Sequence, residues 1–275
     1  MYKDYYGLRE EPFSITPDPR YLYLTAQHRE ALNHLLYGVR ERKGFICLTG
    51  EVGTGKTTLC RTLLRELGET CRTALILNPA LSPTQLLRAV VQELAIPTKR
   101  RDRLGYLTLL NDCLLKENAA GRNVVLVVDE AQDMPAETLE MMRLLSNLET
   151  DSQKLLQTIL VGQPELREKL RKPSLRQLAQ RITVRYHLQQ MSLADTEEYV
   201  RHRLKVAGLG ESSPSGATLD LEPAAIHEIH KFSRGIPRLV NAIGDKVLLA
   251  GYVYRTGRID KRMVRIAAQE LQEAA

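Results

Sequence analysis

Eight residues from Gly50 to Thr57 constrain this chain more than any other part of its sequence. They read Gly-Glu-Val-Gly-Thr-Gly-Lys-Thr and fit the phosphate-binding pattern G-x-x-x-x-G-K-[ST] in full. An apolar run precedes them at Phe45–Thr49, and a helical repeat follows at Lys56–Leu67. A strand, a glycine-rich loop and a helix in that order predict an α/β fold whose parallel sheet carries a nucleotide at one edge.

The residue types of this loop suit a chain of phosphate groups. Its glycines allow backbone torsions that turn successive N–H groups toward one anion, and the helix behind the loop adds positive potential. Lys56 supplies a full charge to the β- and γ-phosphates, and the Thr57 hydroxyl is a ligand for Mg²⁺. We therefore predict a nucleoside triphosphate site formed by Gly50, Glu51, Val52, Gly53, Thr54, Gly55, Lys56, Thr57 and Thr58.

A second acidic feature follows the apolar run Val124–Val128. Asp129 and Glu130 come directly after this run, and ligands of parallel sheets lie where the strands end. We predict that Asp129 holds Mg²⁺, directly or through water, and that Glu130 is the general base that polarises the attacking water. The adjacent carboxylates thus favour hydrolysis over nucleotide binding alone. For Asp133 we favour a role as cap of the following helix.

Strand-like and helical segments alternate through the first 190 residues, which predicts a doubly wound parallel sheet. After about Gln190 the strand signals disappear, and a flexible loop is predicted at Gly210–Gly216. We predict a nucleotide-binding domain at 1–190, of which 1–40 form an N-terminal strap and helix, and a small all-helical lid domain at 191–275. The predicted strands are Phe45–Thr49, Thr73–Leu77, Asn123–Asp129, Leu156–Val161 and Ile182–His187.

Composition narrows the class of protein. Hydrophobic residues at 43% and charged residues at 26% are ordinary for a globular chain, which excludes disorder as the main state. Lysine and arginine exceed aspartate and glutamate by 39 − 33 = 6, which favours an acidic partner. No apolar run approaches the ~20 residues that span a bilayer, and the polar N-terminus does not fit a signal peptide.

The cysteines and histidines do not indicate a metal site. The close pair His227 and His230 has no cysteine or carboxylate set around it. The four cysteines lack metal spacing and predict buried thiols of a reducing cytoplasm; they are Cys47, Cys60, Cys71 and Cys113.

Motifs beyond the phosphate loop carry a resemblance to a known family. They are Tyr6-Gly7-Leu8, Pro12-Phe13, Pro17-Asp18-Pro19, Asp129-Glu130-Ala131-Gln132, Val161-Gly162-Gln163-Pro164-Glu165-Leu166 and Gly235-Ile236-Pro237-Arg238. Together with the loop they resemble the AAA+ ATPases, and more closely the ExeA/GspA group linked to general secretion and related envelope machinery. The resemblance covers nearly the whole chain. It implies a P-loop AAA+ three-layer domain with a five-stranded parallel sheet, followed by a helical lid, with ATP and Mg²⁺ as ligands.

The resemblance also implies residues that sense the nucleotide. Gln163 takes the place of the sensor 1 residue that orients the attacking water, or else only starts a helix. Arg238 matches the sensor 2 arginine that reaches the γ-phosphate, or else is a solvated helix arginine. Phe13, Ile15 and Pro17 either pack near the adenine or form a strap along the sheet edge.

An arginine finger is a further implication of the family. AAA+ proteins place this residue just before the last strand of the sheet, where it reaches the nucleotide of a neighbouring subunit. Arg181 directly adjoins that strand and is the preferred candidate, while Arg176 is the alternative. A finger that acts in trans implies a homo-oligomer, either a ring or a filament.

Two functions follow from this family, and a passive nucleotide switch is a third that Glu130 argues against. The first is an ATPase whose nucleotide-dependent oligomerisation helps assemble a secretion, pilus or polysaccharide-export machine. The second is a DNA-binding regulator of the transposition type, served by basic clusters at Lys99–Arg103, Arg167–Lys172 and Arg255–Arg265. The first is favoured, because no aromatic-interleaved basic groove is evident.

Secretion-linked members commonly continue into a transmembrane segment and a periplasmic peptidoglycan-binding region. This sequence has neither, so it is either an excised ATPase part or a short soluble member of the group. We therefore predict a cytoplasmic protein that reaches the inner membrane through a partner or through a missing C-terminal anchor.

Overall fold

The computed structural model describes residues 1–14, 18–151, 153–209 and 219–273. The chain forms two compact units. The first, here called the helical unit, consists of Met1–Thr25, Val52–Gly55 and Gln189–Ala275, and the second, the sheet unit, consists of Ala26–Glu51 and Lys56–Leu188. Residues 1–25 therefore lie with the helical unit, whereas the sequence placed them in the nucleotide-binding domain. The predicted loop at 210–216 lies outside the described residues.

The sheet unit contains the predicted sheet of five parallel strands. They are β1 (Phe45–Gly50), β2 (Cys71–Ile76), β3 (Asn123–Val128), β4 (Leu156–Gly162) and β5 (Ile182–Leu188). Their order across the sheet is β2–β3–β4–β1–β5. Every residue of β1, β3 and β4 is buried, which explains the unbroken apolar runs. This order places the carboxyl ends of β3, β4 and β1 next to one another.

The helices follow most of the predicted periodic segments. Along the chain they are α1 (Tyr2–Tyr6), α2 (Ala26–Arg40), α3 (Lys56–Leu67), α4 (Pro83–Glu93), α5 (Arg103–Ala119), α6 (Ala136–Leu145), α7 (Pro164–Leu170), α8 (Arg176–Arg181), α9 (Leu193–Val206), α10 (Pro223–Ser233), α11 (Pro237–Val253) and α12 (Lys261–Glu273). Ser82 and Ser192 begin α4 and α9 with capping boxes. Across the described ranges, no helix has both the length and the apolar character to cross a membrane.

Neighbouring residues of β1 point to opposite faces of the sheet. Gly38 of α2 lies against Ile46 and Val184, so these two side chains point toward α2. Phe45 and Cys47 point to the other face and join the apolar cluster to which α4, α5, α6, α7 and α8 contribute. The sheet is thus covered on both faces, as the three-layer fold requires.

The helical unit has its own core, and the N-terminal segment is part of it. Tyr2, Tyr6 and Phe13 belong to one apolar cluster with residues of α9 to α12. Phe13 is only 2% exposed and lies so close to Gly244 of α11 that a Cβ there would meet its ring at 2.8 Å. Phe13 is therefore a core residue of this unit. Ile15 and Pro17 lie outside the described residues.

The C-terminal part of the chain is helical as predicted, and it also contains one pair of very short strands. Two parallel strands of two residues each, β6 (Asp220–Leu221) and β7 (Arg258–Ile259), pair beside the helices. The Asp220 N–H donates to the Gly257 carbonyl and the Glu222 N–H to the Ile259 carbonyl. Strands of this length leave no alternation in the sequence, so periodicity cannot reveal them.

Candidate functional site

Lys56 begins α3 and turns back over the start of the phosphate loop. Its Nζ donates to the Gly50 carbonyl at 2.8 Å and to the Glu51 carbonyl at 2.9 Å. Burial lowers the pKa of Lys56, and the charges of Glu130 and Asp129 oppose that change. An ammonium carries three donors, so one N–H remains for a phosphate oxygen in this arrangement.

The glycines of the loop are required by its backbone. Gly53 and Gly55 have φ of +79° and +97°, a region that side chains strongly disfavour. Gly53 also lies against Arg238, since a Cβ there would come within 2.7 Å of the Arg238 Cβ. The Arg238 N–H points to the Gly53 carbonyl at 3.4 Å. Arg238 thus begins α11 directly beside Gly53, whereas the contact of its guanidinium with a nucleotide stays a prediction.

Thr57 and Asp129, the two predicted metal ligands, contact each other. The Thr57 hydroxyl donates to Asp129 Oδ2 at 2.6 Å, and Asp129 is only 3% exposed. Mg²⁺ prefers oxygen ligands and takes one or two from the protein, the rest coming from water and phosphate. Thr57 and Asp129 provide such oxygen ligands. The described part of the chain holds no cluster of three or more His, Cys, Asp or Glu side chains able to bind a metal.

Glu130 is held in position by two amide side chains. Its Oε2 accepts hydrogen bonds from Gln132 Nε2 at 2.7 Å and from Gln163 Nε2 at 3.1 Å. Its backbone is left-handed, with φ of 51° and ψ of 38°, and its N–H donates to Asp129 Oδ1 at 2.9 Å. The structure therefore brings Gln163, the predicted sensor 1 residue, to the predicted general base.

Gln132 closes this network, and sequence reasoning gave it no role of its own. Its Oε1 accepts the Gln163 backbone N–H at 3.0 Å, while its Nε2 donates to Glu130. A Cβ at Gly162 would lie 2.8 Å from Gln132 Oε1, so the end of β4 must be glycine for the amide to fit. The only sequence signal was its place in the Asp-Glu-Ala-Gln motif.

The two amides change the acidity of Glu130. Burial raises its pKa, but the hydrogen bonds from Gln132 and Gln163 and the charge of Lys56 outweigh burial and lower it overall. The carboxylate is therefore ionised at neutral pH and able to accept a proton. Both amide donors are on Oε2, so Oε1 keeps its lone pairs for a water molecule.

We expect Gln132→Ala to lower kcat of ATP hydrolysis by about tenfold and to leave KM for ATP within a factor of about two. Losing one donor raises the pKa of Glu130, so the acid limb of the pH profile of kcat should move to higher pH. A full pH profile measures both effects. Gln153→Ala is the control, because Gln153 bonds Asn118 and not Glu130. A lower kcat with an unmoved acid limb would mean that Gln132 has only a structural role.

Asp133 does not cap the following helix, so that prediction is wrong. The N-cap of α6 is Pro135, with no side-chain cap. Asp133 lies in a 3₁₀ turn, Ala131–Asp133, and accepts the second N–H of the Gln132 amide at 3.1 Å. Lys169 of α7 donates to the Gln132 and Met134 carbonyls, which fixes this turn against α7.

The two candidate arginine fingers lie in different surroundings. Arg181 ends α8, is half-buried and donates to the Ser146 hydroxyl. Arg176 begins α8 and is exposed. Both remain predictions, because a residue that acts in trans is tested only with a neighbouring subunit.

Part of the third basic cluster is neutralised locally. Arg258 pairs with Glu222 at 2.5 Å and Arg265 with Glu228 at 2.8 Å. Arg255 lies over the rings of Tyr5 and Tyr252. The two ion pairs reduce the positive field that a DNA backbone would require, and they do not favour the DNA-binding function.

An AAA domain model matches residues 39–170. The chain is 47% identical over 272 residues to general secretion pathway protein A of Aeromonas hydrophila. That match covers 98% of the chain and 48% of the relative, so the chain spans about half of the length of this curated relative.

Solved structures of low sequence identity share the fold. Cdc6p from Pyrobaculum aerophilum has a TM-score of 0.70 at 22% identity. The match covers 94% of this chain and 70% of the Cdc6p chain. The ORC2 protein of Aeropyrum pernix, in ADPNP–ADP complexes, has a TM-score of 0.66 at 18% identity. The match covers 95% of this chain and 71% of the ORC2 chain. By its phosphate loop, its parallel sheet and these matches, the chain has the AAA+ fold, with an AAA domain at residues 39–170, and is similar to general secretion pathway protein A.

Proposed function

We propose that this chain binds ATP with Mg²⁺ and hydrolyses it, and that nucleotide-dependent oligomerisation helps to assemble a secretion, pilus or polysaccharide-export machine of the envelope. One observation supports hydrolysis above all others. Glu130 is an ionised carboxylate that two amides hold at the end of β3, next to the Thr57–Asp129 pair. A protein that only binds nucleotide has no need of an oriented base at this place.

The residues of the site have distinct roles in the proposed reaction. The Lys56 ammonium binds phosphate oxygens, while Thr57 and Asp129 would hold Mg²⁺, which would neutralise charge on the phosphates. As the water oxygen bonds to the γ-phosphorus, Glu130 Oε1 accepts a proton from that water. The bond from the γ-phosphorus to the bridging oxygen breaks, and ADP leaves with that oxygen. The Gln163 amide keeps Glu130 oriented and lies where it can also bond that water.

The assembly role rests on similarity and is the finer part of the proposal. General secretion pathway protein A, by its name, works in secretion, and the chain is similar to it over nearly all of its own length. A trans-acting finger would make the ATPase site complete only in an oligomer. Bound ATP would then hold the subunits together, and its hydrolysis would limit the lifetime of the oligomer. We propose that this takes place at the cytoplasmic side of the inner membrane.

We expect Lys56→Ala to weaken binding of Mg-ATP by at least about tenfold, because Lys56 brings the only side-chain cation of the phosphate loop to the phosphates. Titration of a fluorescent ATP analogue into both proteins measures the change. Lys116→Ala removes an exposed lysine of α5 and serves as control. Equal affinities in the wild type and in Lys56→Ala would contradict the phosphate-loop assignment.

A further inference from the structure

A second basic site lies in the sheet unit, on the face of the sheet opposite α2. It is a pocket of about 760 Å³ between the edge strand β5, its neighbour β1 and the helices α7 and α8. We call it the arginine pocket. The residues that define it are Cys47, Arg167, Arg171, Arg176, Arg185 and His187.

The arginines of this pocket have no counter-charge. Within the described ranges, the side chains of Arg167, Arg171 and Arg176 make no ion pair and no hydrogen bond, and no residue that lines the pocket is acidic. Arg185 is anchored by the Ala179 carbonyl at 2.5 Å and the Ile182 carbonyl at 3.4 Å, and neither acceptor carries a charge. Four guanidinium groups that repel one another therefore meet in one concave place, which an anion would stabilise.

The floor of the pocket is neutral. Burial raises the pKa of Cys47 to about 11, although the charges of Arg185 and Arg167 act against burial, so the thiol stays protonated. Burial, together with the charge of Arg167, lowers the pKa of His187, so the imidazole is neutral at neutral pH. Its Nδ1 lies 3.0 Å from the Thr49 hydroxyl. Among the described residues that form this floor, no side chain carries a negative charge.

We propose that the arginine pocket binds a small ligand that carries two or more linked phosphate groups. A guanidinium presents five N–H donors in a fork that fits phosphate oxygens, and four of them exceed what one carboxylate can accept. The volume lies in the range of small-molecule sites. The arginines line one concave pocket and do not form an extended basic groove, which favours a small polyphosphate over duplex nucleic acid.

This site is distinct from the phosphate loop but close to it in the chain. Thr49 lines the pocket and directly precedes Gly50, the first residue of the loop. The Thr49–His187 contact therefore connects β1, just before the loop, with β5. The proposal does not depend on ATP hydrolysis, because binding of the anion is measured directly.

The test measures pyrophosphate binding by calorimetry on the full chain. Lys56→Ala is the background, so that the phosphate loop contributes little. We expect one pyrophosphate per chain, and at least about a tenfold loss of affinity when Arg171→Gln and Arg185→Gln are added. Arg65→Gln with Arg88→Gln is the matched control, because it removes two exposed arginines of α3 and α4 and the same net charge.

The proposal is decided by the following outcomes. A loss confined to the Arg171/Arg185 variant, with an unchanged melting temperature, supports it. If the double variant unfolds, Arg171→Gln alone replaces it in the test, because this variant keeps the hydrogen bonds of Arg185. It should still weaken pyrophosphate binding. ADP binding tighter than pyrophosphate identifies a nucleotide as the ligand, and equal binding identifies a free polyphosphate. An equal loss in the control, or binding that appears only at concentrations where the chain oligomerises, overturns it.

Discussion

Replacing Glu130 by glutamine should lower the rate of ATP hydrolysis by about 10²–10⁴-fold and leave ATP binding intact. A carboxamide has the same shape but cannot take the proton of the attacking water. Its oxygen can still accept the bonds that Gln132 and Gln163 now donate to Oε2. The change therefore removes the base and keeps the network. Single-turnover hydrolysis and ATP titration separate the two effects.

The same variant tests the link between ATP and assembly. If ATP holds subunits together, an oligomer of Glu130→Gln should persist after free ATP is removed, while the wild type should dissociate as it hydrolyses. Light scattering after rapid desalting measures that lifetime. Glu137→Gln, at an exposed position in the first turn of α6, is the control. Hydrolysis by Glu130→Gln at near the wild-type rate would exclude Glu130 as the base.

The sequence predicted the parts of this site that depend on local pattern. A glycine-rich loop between a strand and a helix needs particular residues at particular positions, so Lys56 and Thr57 could be assigned roles directly. The carboxylates Asp129 and Glu130 stand at the end of a buried strand, and parallel strands bring their carboxyl ends together. The Thr57–Asp129 contact follows from these two rules.

The role of Gln132 could not be read from the sequence, because it depends on backbone geometry. The left-handed conformation of Glu130 and the 3₁₀ turn after it direct the Gln132 amide back toward Glu130. Gly162 leaves room for that amide only because β4 lies beside β3. Spacing along the chain contains neither fact.

Other features could not be predicted from the sequence because they depend on contacts between segments that are distant along the chain. Residues 1–25 lie with the helical unit because their tyrosines and Phe13 complete its core, and no periodicity in such a short segment reveals which core it joins. The helices α1, α7 and α8 have five, seven and six residues, too few for a clear helical repeat. The arginine pocket likewise draws on α7, α8 and β5, and its arginines are brought together only by the fold.

The prediction with the largest expected effect concerns the arginine finger. Arg181→Ala should bind ATP normally and hydrolyse it about 10³–10⁵-fold more slowly, which is the range for fingers that stabilise phosphoryl transfer. Arg181 donates to the Ser146 hydroxyl, which occupies one of its five N–H groups, so reaching a neighbour's nucleotide requires this bond to open. Steady-state ATPase rates at oligomer-forming concentrations measure the loss.

Two controls separate a finger from a structural arginine. Ser146→Ala removes the hydroxyl to which Arg181 donates and should keep the wild-type ATPase rate. If the hydrogen bond itself supports activity, Ser146→Ala should instead lose as much ATPase rate as Arg181→Ala. Arg176→Ala should also keep the rate, since Arg176 belongs to the arginine pocket. A large loss in Arg176→Ala with an active Arg181→Ala would transfer the finger role to Arg176.

Mixing two inactive proteins tests whether the finger acts in trans. Arg181→Ala subunits keep Glu130, and Glu130→Gln subunits keep Arg181, so a mixed interface combines an intact base from one with an intact finger from the other. About a quarter of the interfaces in a random equal mixture have this arrangement, and each should hydrolyse ATP near the wild-type rate. Activity should therefore rise well above that of either protein alone and peak near equal amounts. If no ratio restores activity although the subunits co-assemble, Arg181 acts within its own chain, and the need for an oligomer loses its main support.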